Sequence, residues 1–322
     1  MRILLWHVHG SWTTAFVQGN HDYILPVLAG RPADGRGRAR TWDWPENAVE
    51  LTPDELADAE LDLVILQRPE ELHSLCEAWT GLRPGRDLPA VYVEHNTPQG
   101  RIADMRHPAA DRPDLTIAHV TYFNDLFWDC GDTPTRVIEH GIIDPGDRYS
   151  GEFGRAGVVI NEPRRRGRVT GTDLLASLAA GGVPVDLFGI GAATLGGIED
   201  LPQRRLHDEL PRRRVYVHTA RWTSLGLSLI EAMTLGMPVV ALAATEALEA
   251  VPEPAGVVST RLDRLTAAAR EFIADPHAAR AAGQAARAHA LDRYGLDRFL
   301  ADWDDLLEEV KHRAHRNGLR AR

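Results

Sequence analysis

Short apolar runs alternate with helix-length segments along most of the chain. Ten such runs are found, namely ILLWHV (3–8), LDLVILQ (61–67), AVYVEH (90–95), LTIAHVT (115–121), TRVIEHG (135–141), GVVIN (157–161), PVDLFGIG (184–191), RVYVHT (214–219), PVVALA (238–243) and AGVVST (255–260). Strands that are apolar on both faces and separated by helices are typical of parallel sheets that helices cover on both sides. The pattern predicts an α/β protein with two such sheets.

A segment without periodicity separates the first five runs from the last five. It is DPGDRYSGEFGRAG (144–157), rich in Gly and Asp, which predicts a linker. A first domain over 1–150 and a second over 151–299 follow from this boundary. After 261 the Ala- and Leu-rich spacing predicts helices, with a break at Tyr294-Gly295. The last helix, from about 300, is expected to pack on the first domain, and the basic tail (311–322) is expected to fray.

Composition and charge exclude several classes of protein. The 322 residues include 36 Lys and Arg and 46 Asp and Glu, and a net charge of −10 lacks the positive field of a nucleic-acid binder. Lys311 is the one lysine, which coding bias explains, so any phosphate site depends on arginines or backbone amides. Cys76 and Cys130 are too few for a disulfide framework, and no apolar stretch reaches membrane-spanning length. A cytoplasmic protein with at most peripheral membrane contact is expected.

The segment HTARWTSLGLSLIEAMTLGMPVVALA (218–243) carries the strongest chemical signal. A strand runs into a polar loop, and Gly226 then opens a helix. The free backbone amides of Gly226 and Leu227, together with the helix dipole, favour a diphosphate at this position. Glu231 lies one to two turns into the helix, where a carboxylate can accept two hydrogen bonds from a vicinal diol such as a ribose. The alternative for Glu231 is an ordinary glutamate on a helix surface.

Three motifs in this segment resemble the signature of family-4 retaining glycosyltransferases, which have the GT-B fold. They are Leu225-Gly226-Leu227, Glu231-Ala232-Met233 and the run from Gly236 to Val240. More loosely, 137–144 is similar to the closing strand of the family's first domain, and Gly189-Ile190-Gly191 to the Gly-x-Gly of its donor-binding domain. Thr223 stands where the family has a glutamate that binds the donor sugar, so Thr223 is expected to bind a sugar hydroxyl more weakly.

The resemblance implies both a fold and an activity. The fold is two Rossmann-like domains that face each other across a cleft, the second of which binds the donor. The activity is transfer of a sugar from a nucleotide-diphosphate sugar to a hydroxyl of a small-molecule or glycoside acceptor. The family retains the anomeric configuration and needs no metal or other cofactor. Arginines and a helix N-terminus would stabilise the leaving diphosphate.

A cluster of arginines occupies the position of the family's phosphate clamp. Gly171 and the following Asp173-Leu174-Leu175 fit the clamp's Lys-Gly stretch, with Thr170 in place of the lysine. The loop before Gly171 carries Arg164, Arg165, Arg166 and Arg168. Such a density of like charges favours a nearby anion, and guanidinium groups suit phosphate oxygens. Arg166 and Arg168 are predicted to act on the leaving diphosphate and Arg165 to bind the donor, with a solvated basic loop as the alternative.

Candidate residues in the first domain follow its strands. Gly10 comes after the first strand and is predicted to let the backbone approach a donor phosphate. His95 ends the strand at 90–95, where ligands of open parallel sheets bind, and it is predicted to lie near the transferred sugar, although a lone histidine is more often structural. His7 and His9 lack a visible third ligand for a metal, and Trp12 is compatible with an acceptor face.

Two other functions remain open at the level of sequence. Thr223 and the missing clamp lysine are compatible with a sugar-nucleotide-binding module that has lost catalysis. Another GT-B enzyme, such as a sugar-nucleotide epimerase, would need more acid and base carboxylates than the sequence places. A phosphorylase with a Schiff-base lysine is excluded, because Lys311 in the tail is the one lysine.

Overall fold

The computed structural model describes residues 1–40, 42–199, 201–316 and 318. The chain divides into two compact units, Met1–Gly141 with Leu296–Arg322, and Ile142–Gly295. The unit boundaries therefore fall a few residues before the predicted positions near 150 and 299. Residues 317 and 319–322 of the predicted basic tail lie outside the described part of the chain.

The strands of the described residues all pair in parallel. In chain order they are β1 (Arg2–Leu5), β2 (Asp22–Pro26), β3 (Ala48–Leu51), β4 (Leu63–Leu66), β5 (Ala90–Glu94), β6 (Thr116–His119), β7 (Thr135–Val137), β8 (Phe153–Val159), β9 (Val185–Phe188), β10 (Arg213–His218), β11 (Val239–Leu242) and β12 (Gly256–Ser259).

The α-helices are mostly short in the first unit and longer towards the C-terminus. They are α1 (Gly10–Phe16), α2 (Pro53–Ala57), α3 (Cys76–Thr80), α4 (Tyr122–Phe127), α5 (Pro163–Thr170), α6 (Asp173–Ala180), α7 (Gln203–Glu209), α8 (Leu227–Thr234), α9 (Ala247–Ala250), α10 (Leu262–Ala274), α11 (Pro276–Tyr294) and α12 (Leu296–Arg316). A π-helical turn (Glu71–Leu75) precedes α3, and four short 3₁₀ turns complete the set (Ile102–Asp104, Ala192–Leu195, Leu210–Arg212, Glu253–Ala255).

The first unit contains a seven-stranded sheet in the order β3-β2-β1-β4-β5-β6-β7. Its central strands are fully buried, as two-sided apolar runs require. Helix α12 belongs to this unit because its buried face packs on it: the Trp303 ring lies 5.6 Å from that of Trp12 and 5.0 Å from that of Phe16. Lys311 Nζ also lies 3.1 Å from Asp62 Oδ1. The helix continues to Arg316, so the expectation of a frayed end from 311 is wrong up to that residue.

The second unit contains a five-stranded sheet in the order β12-β11-β10-β8-β9. Buried side chains cover both of its faces, one beneath α8 and α11 and the other beneath α6 and α10. Strand β8 begins at Phe153, inside the predicted linker 144–157, because its first residues pair with β10 although they are only half-buried. The break between the last helices is confirmed, since α11 ends at Tyr294 and α12 begins at Leu296.

The predicted fold class, an α/β protein with two parallel sheets, is confirmed. Each of the ten apolar runs overlaps a strand, whereas β2 and β3 were not predicted. Strand β3 lies at the edge of its sheet and has mostly half-buried side chains, so it lacks the apolar signature of the central strands. Within the described residues, no helix is long and apolar enough to cross a membrane.

Candidate functional site

Helix α8 begins with backbone amides that have no acceptor within the described residues. Gly226 is its N-cap, with φ −71° and ψ 116°, and no side chain caps the helix. A Cβ at this position would lie 2.6 Å from Cε1 of His218, the last residue of β10, so glycine allows the imidazole to pack beneath the helix start. Burial lowers the pKa of His218 to about 4, so the ring is neutral at pH 7. The amides of Gly226 and Leu227 thus form an open N-terminus of the kind that binds anions.

The predicted arginine loop is a helix, α5, with a kink at Gly167, where φ is 19° and ψ is −96°. Pro163 at its first position is a favourable helix start that the loop prediction overlooked. After α5, Gly171 has φ 72°, and a Cβ there would collide with the carbonyl oxygen of Thr219. This glycine therefore allows close approach between the end of α5 and the loop that leads into α8.

Hydrogen bonds fix the end of α5 to that loop. Thr219 Oγ1 donates to the Thr170 carbonyl oxygen at 2.8 Å, and the Arg221 amide donates to the Val169 carbonyl oxygen at 2.8 Å. Helices α5 and α8 follow the neighbouring parallel strands β8 and β10. Because the carboxyl ends of parallel strands lie at one edge of a sheet, the arginine helix and the start of α8 belong to the same edge of the second unit.

The four arginines of α5 have different surroundings. Arg164 donates to the Thr194 carbonyl oxygen at 2.6 Å, and Arg165 pairs with Glu162, with Nε 2.9 Å from Oε1. Arg168 is exposed and lies 3.5 Å from an Asp173 oxygen, a carboxylate that also accepts two hydrogen bonds from Arg221.

Arg166 differs from its neighbours in having no partner for its charge. Its side chain is half-buried, and within the described residues its guanidinium has no hydrogen bond or salt bridge. Burial, and secondarily the positive charge of Arg165, lower the pKa of Arg166, although the group stays charged at neutral pH. The charge of Glu162 offsets these effects only in part and forms no salt bridge with Arg166, so this half-buried cation is suited to an anionic ligand.

Glu231 and Thr223 are both withdrawn from solvent. Glu231 is 8% exposed on α8, so it is not a solvated glutamate on a helix surface. Its negative charge contributes to raising the pKa of the Tyr216 hydroxyl, behind the larger effect of burial. The Thr223 Oγ1 is buried and has no hydrogen-bond partner within the described residues. A hydroxyl in this state has both its donor and its acceptor capacity available for a ligand.

The Gly189-Ile190-Gly191 motif is explained by packing inside the second unit. Gly189 has φ 129°, and a Cβ there would collide with the carbonyl oxygen of Ile160. The Gly189 amide donates to the Ile198 carbonyl oxygen at 3.2 Å, and the Gly191 amide donates to Glu199 Oε1 at 3.0 Å. Since these amides already have acceptors, the structure gives Gly189 a packing role and provides no free donor there for a phosphate.

In the first unit, His95 lies in a group of aromatic rings beyond the end of β5. Its ring centroid is 4.0 Å from that of His9 and 5.2 Å from that of Trp12, and its Nε2 lies 3.0 Å from Gln67 Oε1. Burial is the main cause that holds the pKa of His95 well below its usual range. Burial also lowers the pKa of His9 to about 4 and that of His140 to about 3. All three imidazoles are therefore neutral at pH 7.

Several first-unit expectations change with the structure. Trp12 is 1% exposed and stacks on Phe16 at 4.8 Å, so it belongs to the core and not to an acceptor face. Gly10 is the first residue of α1, and a Cβ there would make only an ordinary contact, 3.6 Å from the Trp42 indole nitrogen. Packing thus does not require glycine at this position. Within the described residues, no group of three or more His, Cys, Asp or Glu could hold a metal ion.

Two further polar residues lie in this region: Gln67, which sequence reasoning missed, and His140, whose place near a strand end the sequence already indicates. Both are buried, and both lie beyond the ends of strands, after β4 and β7 respectively. A buried glutamine directly after an apolar strand is a signal that could have identified Gln67, because such a side chain needs a partner.

Comparison with solved structures shows which known proteins share this fold. HepE from Anabaena, in complex with UDP, has a TM-score of 0.69 and 13% identity, and the match covers 96% of this chain and 100% of that one. Sucrose-phosphate synthase from Thermosynechococcus elongatus has a TM-score of 0.68 and 12% identity, with 96% and 99% covered. The two units thus have the arrangement of strands and helices found in GT-B glycosyltransferase structures.

Residues 198–289 match the model of the family Glycosyl transferases group 1. The matched residues lie in the second unit and include the whole of α8. A TarM variant from S. aureus, in complex with fondaparinux, alpha-GlcNAc-glycerol and UDP, has a TM-score of 0.59 and 13% identity. That match covers 76% of this chain and 55% of TarM, so the chain spans about half the length of that protein. No curated protein sequence matches the chain.

Proposed function

We propose that this protein is a retaining glycosyltransferase that moves a sugar from a nucleotide-diphosphate sugar to a hydroxyl acceptor, without a metal or other cofactor. The observation that carries the proposal is the edge of the second unit where the unpaired Arg166 and the open N-terminus of α8 follow neighbouring strands. Both features favour an anion, and the start of α8 lies in the segment that matches the group 1 glycosyltransferases.

In this proposal the second unit holds the diphosphate. The Gly226 and Leu227 amides and the Arg166 guanidinium donate to phosphate oxygens, with Arg168 and Arg165 as further cations of α5. As the bond between the anomeric carbon and the diphosphate breaks, negative charge grows on the diphosphate, and donors fixed in advance stabilise it. The leaving diphosphate accepts the proton of the acceptor hydroxyl, so no protein nucleophile is needed. Glu231 binds the ribose diol and Thr223 a hydroxyl of the sugar.

His95 and Gly10 supply the first unit's part of the proposal. His95 is a neutral imidazole beside His9 and offers a hydrogen bond to a sugar or acceptor hydroxyl. Gly10 lets the start of α1 approach a donor phosphate. The acceptor is a small molecule or a glycoside, and the reaction takes place in the cytoplasm.

UDP-sugars are the first donors to test, because HepE was solved with UDP and UDP-glucose and TarM with UDP. A ligand that binds only the native state stabilises it by about 2.7 kcal/mol at a concentration of 100 Kd. We expect one of UDP-, GDP- or ADP-glucose to raise the melting temperature, and the same donor to release its nucleoside diphosphate slowly without an acceptor. Absence of both effects for all three nucleotides would refute the proposal.

A sugar-nucleotide-binding module without catalysis is the second candidate, and the threonine at 223 favours it. The family signature has a carboxylate there, and a neutral hydroxyl gives a weaker hydrogen bond. Tight binding of a nucleotide sugar with no release of nucleoside diphosphate over hours, with or without alcohols as acceptors, would support the module.

A further inference from the structure

Gln67 follows β4 in the first unit and is 4% exposed. Its backbone amide donates to Glu71 Oε2 at 2.6 Å, and its side-chain Nε2 donates to the Trp6 carbonyl oxygen at 2.7 Å. The remaining amide atom, Oε1, lies 3.0 Å from His95 Nε2. The side chain therefore joins the segment after β1 to the segment after β5, across the strand that lies between them.

The hydrogen-bond partners determine which atom of this amide is which. The Trp6 carbonyl oxygen is only an acceptor, so the amide atom that faces it must be the NH₂ group. The other amide atom is then the oxygen, which is also only an acceptor. His95 Nε2 must therefore carry a hydrogen and donate it to Gln67 Oε1.

A neutral imidazole has one N–H, so a hydrogen on Nε2 leaves a lone pair on Nδ1. Burial, together with the nearby His9 and His140, opposes a second proton on His95 and holds its pKa well below the usual range. The His9 ring lies 4.0 Å from the His95 ring at an angle of 37°, and His140 follows β7. Both are themselves neutral at pH 7 because burial lowers their pKa values. Nδ1 of His95 is then a hydrogen-bond acceptor.

We propose that Gln67 is a positioning residue that fixes His95 in the Nε2–H tautomer, so that Nδ1 accepts a hydrogen bond from a hydroxyl of the bound sugar or of the acceptor. The proposal rests on the proposed function for its hydroxyl ligand, whereas the tautomer itself follows from Gln67 and Trp6 alone. It also gives the buried Gln67 a function beyond packing.

The tautomer can be observed directly by long-range ¹H–¹⁵N correlation spectra of histidine-labelled protein at pH 7. Nε2 couples to both carbon-bound ring protons and Nδ1 to one, so the spectrum shows which nitrogen is protonated. The His95 signals are those absent from the His95→Gln variant. We expect a protonated Nε2 and a bare Nδ1 in the wild type, and a protonated Nδ1 or a charged ring would overturn the inference.

Two variants test whether Gln67 is the cause. Gln67→Met has a similar length and removes the acceptor, so we expect signals of mixed tautomers. Gln67→Glu keeps an acceptor for Nε2–H, so we expect Nε2 to stay protonated and the pKa of His95 to rise towards its usual value. Gln18→Met is the matched control, since Gln18 Nε2 donates to the Thr14 carbonyl oxygen elsewhere in this unit. An unchanged His95 tautomer in Gln67→Met would show that Gln67 does not fix it.

Turnover of UDP-glucose separates this inference from the proposed function. If the wild type releases UDP, we expect the rate to fall about five-fold in Gln67→Met, the effect of one neutral hydrogen bond, and to stay unchanged in Gln18→Met. An altered tautomer with unaltered turnover would overturn the positioning role. A wild type that turns over no donor but shows the expected tautomer would refute the proposed function and leave the tautomer assignment standing.

Discussion

Replacement of Arg166 by methionine tests the proposed phosphate site most selectively. Arg166 is half-buried and has no hydrogen bond or salt bridge within the described residues, so its loss breaks no ion pair. Methionine keeps much of the apolar stem. We therefore expect the free energy of unfolding to change by less than about 0.5 kcal/mol, as for other substitutions that remove no buried contact.

The effect on ligand binding is expected to be much larger. A hydrogen bond that involves a charged group contributes about 1.5–3 kcal/mol. On a nucleoside diphosphate, the loss of one such bond corresponds to a dissociation constant raised about 10-fold to 150-fold. Because Arg166 forms no salt bridge with a carboxylate within the described residues, ligand binding does not have to break an ion pair first.

Isothermal titration calorimetry with UDP is the assay, and Arg164→Met is the matched control. Arg164 lies on the same helix, but it is exposed and donates to the Thr194 carbonyl oxygen. Both substitutions remove one positive charge, so the two variants have the same net charge. Urea denaturation of both variants checks that the fold is intact. Equal UDP affinities for Arg166→Met, Arg164→Met and wild type would refute the assignment of Arg166 to the phosphate.

Three further predictions concern the second unit's ribose and loop contacts and the buried histidines of the first. Glu231→Ala should weaken UDP binding roughly 100-fold through the loss of two charge-assisted hydrogen bonds, whereas the exposed Glu271→Ala should not, and equal calorimetric affinities would exclude Glu231. Gly171→Ala should lower the free energy of unfolding by about 2–5 kcal/mol in urea denaturation, because φ is 72° at this position and the added Cβ would collide with Thr219. Gly182→Ala is the control: φ is 83° there, but the Cβ would enter open space, so the loss should be only about 1–2 kcal/mol. A similar loss of stability in both variants would contradict this packing. Burial lowers the pKa of His140 to about 3 in the folded state, so the unfolded chain binds a proton first as the pH falls below about 6.5. Between pH 7 and 5 the free energy of unfolding of the wild type should therefore fall by about 2 kcal/mol more than that of His140→Gln. Parallel pH profiles of stability for the two proteins would refute this.

Strands that are buried on both faces of a sheet could be predicted from the sequence, whereas edge strands and half-buried strand ends could not. The strands β4, β5 and β6 are buried along their whole length, so their sequences are continuous apolar runs. Edge strand β3 and the first residues of β8 satisfy their backbone hydrogen bonds through pairing, although their side chains are mostly not buried. These segments become strands through pairing with distant parts of the chain, which a local sequence pattern cannot predict.

The part of the candidate site that one continuous segment of the chain forms could be predicted from the sequence. The start of α8 follows from local sequence, because the Gly226 N-cap and Glu231 lie on one continuous strand, loop and helix. Which of the α5 arginines have hydrogen-bond partners depends on residues distant in the sequence, such as Thr194 and Arg221. The contact between Gln67 and His95 joins the ends of two strands and had no local signal beyond a buried glutamine.

The proposed activity is transfer of a sugar from a nucleotide-diphosphate sugar with retention of the anomeric configuration. The most direct measurement is a ¹H NMR time course of the reaction mixture. The mixture contains the protein, a simple alcohol as acceptor, and UDP-, GDP- or ADP-glucose in turn. We expect that one donor is consumed, that its nucleoside diphosphate appears, and that the first-formed glucoside is α-configured like the donor. A β-configured first product would contradict retention, and tight donor binding with no release of nucleoside diphosphate would contradict transfer itself.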